Sequence, residues 1–164
     1  MNYKLKRVIK YIPRLIRKTY LCWRFPFLRY YNDNLFKEFC YWGQIEDGWR
    51  KAFGLQMCRE LRAAAKRGGI LKTFRFTDVK QKYGYLDIHS YGGNDETFDI
   101  LLKYEYISFR TCIKCGRRAK YVTSGWILPY CEDCFPELNI GQQEYYKDYE
   151  WYGFKNSYDK VEEL

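Results

Sequence analysis

Thr111–Cys134 reads TCIKCGRRAKYVTSGWILPYCEDC, and its four cysteines fall in the pattern C-x2-C-x15-C-x2-C. Each C-x-x-C loop turns two thiolates toward one point. A connector of this length lets two short strands fold back and bring the pairs together. The connector has the composition to do so: Arg118–Val122 is the expected first strand, Ser124-Gly125 the turn and Trp126–Leu128 the return strand. Gly116, directly after Cys115, permits the tight loop in which backbone N–H groups point at sulfur. These features predict a zinc ribbon over 111–136, with one Zn2+ held by Cys112, Cys115, Cys131 and Cys134. Four thiolates leave no open coordination position, so such a site is structural rather than catalytic.

Working upstream, residues 47–110 read as a body of helices and strands. Over 47–67, Phe53, Met57, Leu61 and Ala65 recur on one helical face, Asp47 is placed to cap the start, and Gly68-Gly69 ends the run. Two strands are expected next. Residues 70–80 alternate around Phe74, Phe76 and Val79, and residues 84–91 set Leu86 and Ile88 against Asp87 and His89, with the turn near Gln81–Gly84. Asn94 is a natural cap for a second helix over 95–109, with Asp95 and Glu96 favourable in its first turn. The fold class is therefore α+β: helix, β-hairpin, helix and C-terminal ribbon. The hairpin's apolar face (Phe74, Phe76, Leu86, Ile88) is expected to pack on Phe53, Met57 and Leu61.

Charge divides the 164-residue chain further. The net charge is +9, and residues 1–30 carry nine bases and no acid, while the other 20 basic residues match the 20 acidic ones. Residues 1–46 read as a basic, aromatic N-terminal extension. In it, 3–20 form an amphipathic helix interrupted at Pro13, with Lys4, Lys6, Arg7, Lys10, Arg14, Arg17 and Lys18 on its polar side. Residues 137–164 form an acidic, aromatic tail. A basic head argues for an anionic partner, or for docking on that tail.

Seven cysteines are an odd count, and Cys22, Cys40 and Cys58 lack paired spacing. They are expected to be free thiols packed as small hydrophobes, in a reducing cytoplasm. No apolar run reaches the ~20 residues that span a membrane, and charges interrupt the first 20 residues too often for a secretory signal. The single histidine, His89, reads as a strand residue, and no phosphate loop, paired-carboxylate motif or nucleophile elbow is present.

Residues 47–134 carry a resemblance. Asp47-Gly48-Trp49 with Gly54 and Leu55 downstream, VKQKYGYLDIHSY over 79–91, and Gly125-Trp126 before the second cysteine pair are similar to a family of short tailed-bacteriophage proteins with a C-terminal four-cysteine ribbon. Family members show a Val-Lys-Glu-Lys-Phe-Gly-like turn and a Leu-Arg-Phe-Tyr-like strand. Gln81, Tyr83, Asp87 and Ile88 depart from that, and the strand loses a basic residue. The resemblance implies phage origin and a host-cell setting, and no reaction.

The expected function is a non-enzymatic phage accessory protein that binds nucleic acid in the host cytoplasm. Arg117, Arg118 and Lys120 of the ribbon and the basic head would contact phosphate. The alternative is a protein-interaction module acting on a host enzyme or defence effector. A peripheral membrane contact through the head ranks third. No small-molecule substrate is expected.

Overall fold

The computed structural model describes residues 17–32, 37–123 and 126–135. Helix α1 covers 17–24, and a 3-10 turn at Pro26–Leu28 leads to strands β1 (Arg29–Asn32) and β2 (Lys37–Cys40). A second 3-10 turn, Tyr41–Gln44, precedes α2 (Asp47–Trp49), a π-turn (Arg50–Gly54) and α3 (Leu55–Arg67). The hairpin β3 (Arg75–Lys82) and β4 (Tyr85–Tyr91) follows, then α4 (Asp95–Phe109), then β5 (Tyr121–Val122) and β6 (Pro129–Tyr130). Among the described residues the sheets are three antiparallel pairs, β1–β2, β3–β4 and β5–β6, so the class is α+β.

The run from 47 to 67 is helical throughout, as its periodicity predicts. Trp49, Phe53, Met57, Leu61 and Ala65 are all buried at spacings of four. Four residues overshoot one α-helical turn by about 40°, so such a row drifts off one face. The wider π-turn takes back part of that drift and keeps both halves of the row in the core. Asp47 sits in the first turn rather than at the cap, which is Glu46.

The hairpin's burial pattern follows from a β-bulge. The register of β3 slips between Phe76 and Asp78, so Val79 points the same way as Phe74 and Phe76. Tyr83 and Gly84 form the two-residue turn, with φ of 48° and 89°, as a primed hairpin turn requires. The strand starts later than its alternation suggests. Thr73 and Phe74 both donate to the Ile70 carbonyl, and that turn occupies the residues before Arg75. Helix α4 begins where Asn94 predicts, in a reciprocal cap with Thr97. Near its other end the Ser108 hydroxyl accepts the Leu86 N–H at 2.7 Å and fastens the helix to β4.

One core cluster runs from Leu21 to Phe135. It corrects the reading of the N-terminal aromatic stretch as an extension. Pro26 starts the 3-10 turn that buries Phe27 and Leu28, and the Phe27 ring lies 5.4 Å from Phe74 and 5.1 Å from Phe76. The hairpin shares one core with Phe53, Met57 and Leu61, but its aromatic face stacks on Phe27. Tyr41 adds a hydrogen bond of 2.6 Å to the carbonyl of the bulge residue Thr77.

Of the helix expected over 3–20, the described part is helical and continues to 24. Lys4, Lys6, Arg7, Lys10 and Arg14, the Ser124-Gly125 turn and the tail over 137–164 lie outside the described residues. Among the described residues no helix is long and apolar enough to cross a membrane.

Candidate metal centre

The four cysteines come together as their spacing predicts. Their Sγ atoms all lie within 4.8 Å of one another, and Cys115 Sγ is 3.4 Å from Cys131 Sγ. Four sulfurs at about 2.3 Å from one ion, arranged tetrahedrally, stand about 3.8 Å apart, so the set can hold one metal ion. Cys112, Cys131 and Cys134 are buried and Cys115 is half-buried. Burial and the neighbouring thiols push the Cys134 thiol up, whereas at Cys115 hydrogen bonds from Arg117 outweigh burial and favour the thiolate. Thiols packed this closely oppose one another's ionisation; a divalent cation among them stabilises all four thiolates.

The scaffold is a short hairpin with a loop at each end. Cys112 N–H bonds the Arg117 carbonyl and Gly116 N–H bonds the Cys112 carbonyl, which closes the first loop. Phe135 N–H closes the second on the Cys131 carbonyl. The hairpin strands differ from expectation. Lys120 N–H pairs with Tyr130 O and Thr123 N–H with Leu128 O, so the ladder is Tyr121–Val122 against Pro129–Tyr130, and the return strand begins after Trp126–Leu128. Ile113 N–H takes the Pro129 carbonyl, drawing the return strand to the first cysteine loop.

Helix α2 holds this unit in place. Gly48 N–H bonds the Ile113 carbonyl at 2.8 Å, and Trp49 Nε1 donates to the Thr111 carbonyl at 3.0 Å. The two backbones nearly touch. A Cβ on Gly48 would stand 2.1 Å from the Cys112 oxygen, and one on Gly116 would stand 2.6 Å from the Gly48 oxygen. Sequence reasoning found Asp47-Gly48-Trp49 only as part of a resemblance. A glycine in the first turn of a helix, where it costs stability, was the signal of this close approach.

The proposed phosphate contacts on the ribbon are altered. Arg117 pairs with Asp133 and reaches the Cys115 sulfur, and Lys120 pairs with Glu132 at 2.5 Å. The second cysteine loop thus supplies an acid for each. Arg118 bridges Thr111 through its backbone and keeps its side chain exposed, with no ion-pair partner among the described residues. On α1, Arg17 is exposed and Lys18 half-buried. His89 Nε2 lies 3.3 Å from Asp87 Oδ1 on the exposed hairpin.

A different basic surface comes from α3. Arg59, Arg62 and Lys66 fall at helical spacings of three and four, on the side away from the buried Met57, Leu61 and Ala64. Among the described residues none of the three has an ion-pair partner. The i, i+3, i+7 spacing of these bases is visible in the sequence, on the same helix whose apolar face gives the stronger periodic signal. Cys22 and Cys58 are buried, Cys40 is half-buried, and none of the three is in a disulfide.

Compared with protein-family models, with curated proteins and with solved structures, the chain matches none.

Proposed function

We propose that this chain is a non-catalytic nucleic-acid-binding protein whose ribbon is fastened by one structural Zn2+. Zinc suits the donor set: four cysteine sulfurs, closed, with no position for substrate. The observation that carries the nucleic-acid reading is the side of α3 away from the core, where exposed Arg59 and Lys66 and half-buried Arg62 have no ion-pair partner among the described residues. A cation already paired with a carboxylate gives up that pair to bind phosphate; these three do not, and each released counterion adds to affinity. The nine bases of residues 1–30 add to the positive charge that would attract a polyanion. The resemblance to tailed-phage proteins supports a host cytoplasm as the setting.

The test is binding of the intact chain to a labelled oligonucleotide at two salt concentrations. Affinity should fall steeply with salt. The variant Arg59→Gln, Arg62→Gln, Lys66→Gln should flatten the log–log slope by roughly 2 to 3, as three lost phosphate contacts require. Absence of binding at low salt would end this reading. A second reading, a module that binds a host protein, is favoured by the neutralised ribbon, where Asp133 and Glu132 answer Arg117 and Lys120.

A further inference from the structure

We propose that the place where the β3–β4 turn meets the ribbon is a stacking platform for unpaired bases, so that the nucleic acid bound is single-stranded; this rests on the nucleic-acid reading above. Gln81 Nε2 donates to the Ile127 carbonyl at 3.0 Å, and a Cβ on Gly84 would stand 3.0 Å from the Ile127 side chain. The residues next to these contacts are Tyr83 and Trp126. Both rings face solvent, Tyr83 at 64% exposure and Trp126 at 74%. Exposed large aromatics are costly to hydrate, and here two of them flank one joint between separate hairpins.

Trp126 also borders a cleft of about 470 Å3, with Tyr130 and Ile113 contributing apolar wall. That is room for a nucleobase. Glu46 and Asp47 line the cleft as well. Asp47 is already paired with Arg50, but the Glu46 carboxylate repels phosphate and can accept hydrogen bonds from the N–H groups on a base edge, so the base rather than the backbone fits inside. Lys114 lines the cleft and Lys82, 4.0 Å from Asp87, lies beside Tyr83, so positive charge borders its margin. A base pair buries the edges and faces that such a cleft would read; only an unpaired base can enter and stack.

The experiment compares a labelled single strand with its duplex on the intact zinc-loaded chain, on Trp126→Ala, and on Tyr83→Asn, whose asparagine tolerates the positive φ of that turn. Both rings are exposed, so both variants should keep zinc content and melting temperature. Single-strand affinity should fall roughly tenfold in each, as the loss of one stacked base implies. Duplex affinity and the salt slope should stay unchanged, because no cation is lost, and Trp126→Phe should restore most of the binding. Equal affinity of both variants and the parent for the single strand would overturn the platform while leaving salt-dependent binding through α3 intact. Capture of an arginine-rich peptide, lost in Glu46→Gln, with oligonucleotide binding indifferent to Trp126, would also overturn it and assign the cleft to a basic protein partner. If the parent binds no oligonucleotide at low salt, the platform falls together with the reading it rests on.

Discussion

The indole N–H of Trp49 donates to the backbone carbonyl of Thr111 at 3.0 Å, across 62 residues of chain and in a buried position. One residue earlier, Gly48 N–H takes the Ile113 carbonyl. The start of the long helix is thereby tied to both sides of Cys112, the first of the four clustered cysteines. Trp49→Phe keeps an aromatic ring but removes the indole N–H and part of the buried volume. The Thr111 carbonyl left without its partner costs about 1–3 kcal/mol, and the cavity adds to it. Gly48→Ala drives a methyl group into backbone and should cost about 3 kcal/mol. Denaturant unfolding measures both. Each variant should also release zinc to a chelator faster than a variant of equal stability altered far from the ribbon, such as Asn94→Ala in denaturant matched to the same folding free energy.

Phe27 is fully buried and stacks on Phe74 and Phe76. Phe27→Ala should destabilise the chain by about 3–5 kcal/mol, a core value and not that of a loose extension. Thermal melting of this variant checks whether the N-terminal stretch belongs to the folding unit, and an unchanged melt would place it outside.

Two glutamates on neighbouring helices respond to acid in opposite directions. At Glu60, burial works against ionisation, but hydrogen bonds from Lys103, Gln56 and Tyr104 outweigh it and hold the pKa below its ordinary 4.5. A depressed pKa in the folded chain stabilises above about pH 4.5, and that contribution is lost as pH falls through the folded value. Glu105 is pushed up by burial and then by Asp87, so its contribution is present at low pH and lost as pH rises past 4.5. Glu60→Gln should therefore lower stability at neutral pH and flatten the acid limb. Glu105→Gln should raise stability at neutral pH and have little effect near about pH 3. Urea unfolding at both pH values decides each sign.

Asn94 and Thr97 satisfy each other's backbone N–H at the start of α4. Asn94→Ala should cost about 1 kcal/mol, whereas Asn94→Asp should cost almost nothing, since aspartate caps as well. Circular dichroism melts of the two variants give the comparison.

What could be read from the residues, and what could not, follows from range. The cap at Asn94, the stop at Gly68 and the cysteine spacing are local signals, and each lands where the sequence places it. The bulge that lets Val79 join Phe74 and Phe76 left a trace, a break in alternation, whose cause was visible only in the register of the partner strand. Trp126–Leu128 had the apolar content of a strand, but the ladder skips to Pro129–Tyr130, where Ile113 offers a backbone partner. The N-terminal aromatics carry no period that distinguishes a packed irregular segment from an extension. Arg117 and Lys120 looked free because Asp133 and Glu132 lie beyond a reversal of the chain.

The most direct test of the central claim is the zinc content of the full chain purified without chelator, read by native mass spectrometry beside its melting curve. The account predicts one Zn2+ per folded chain, no disulfide, and loss of both the metal and the cooperative melt in Cys112→Ser and in Cys131→Ser. A folded, cooperatively melting chain that carries less than half a zinc, or that holds these four cysteines as disulfides, would contradict it.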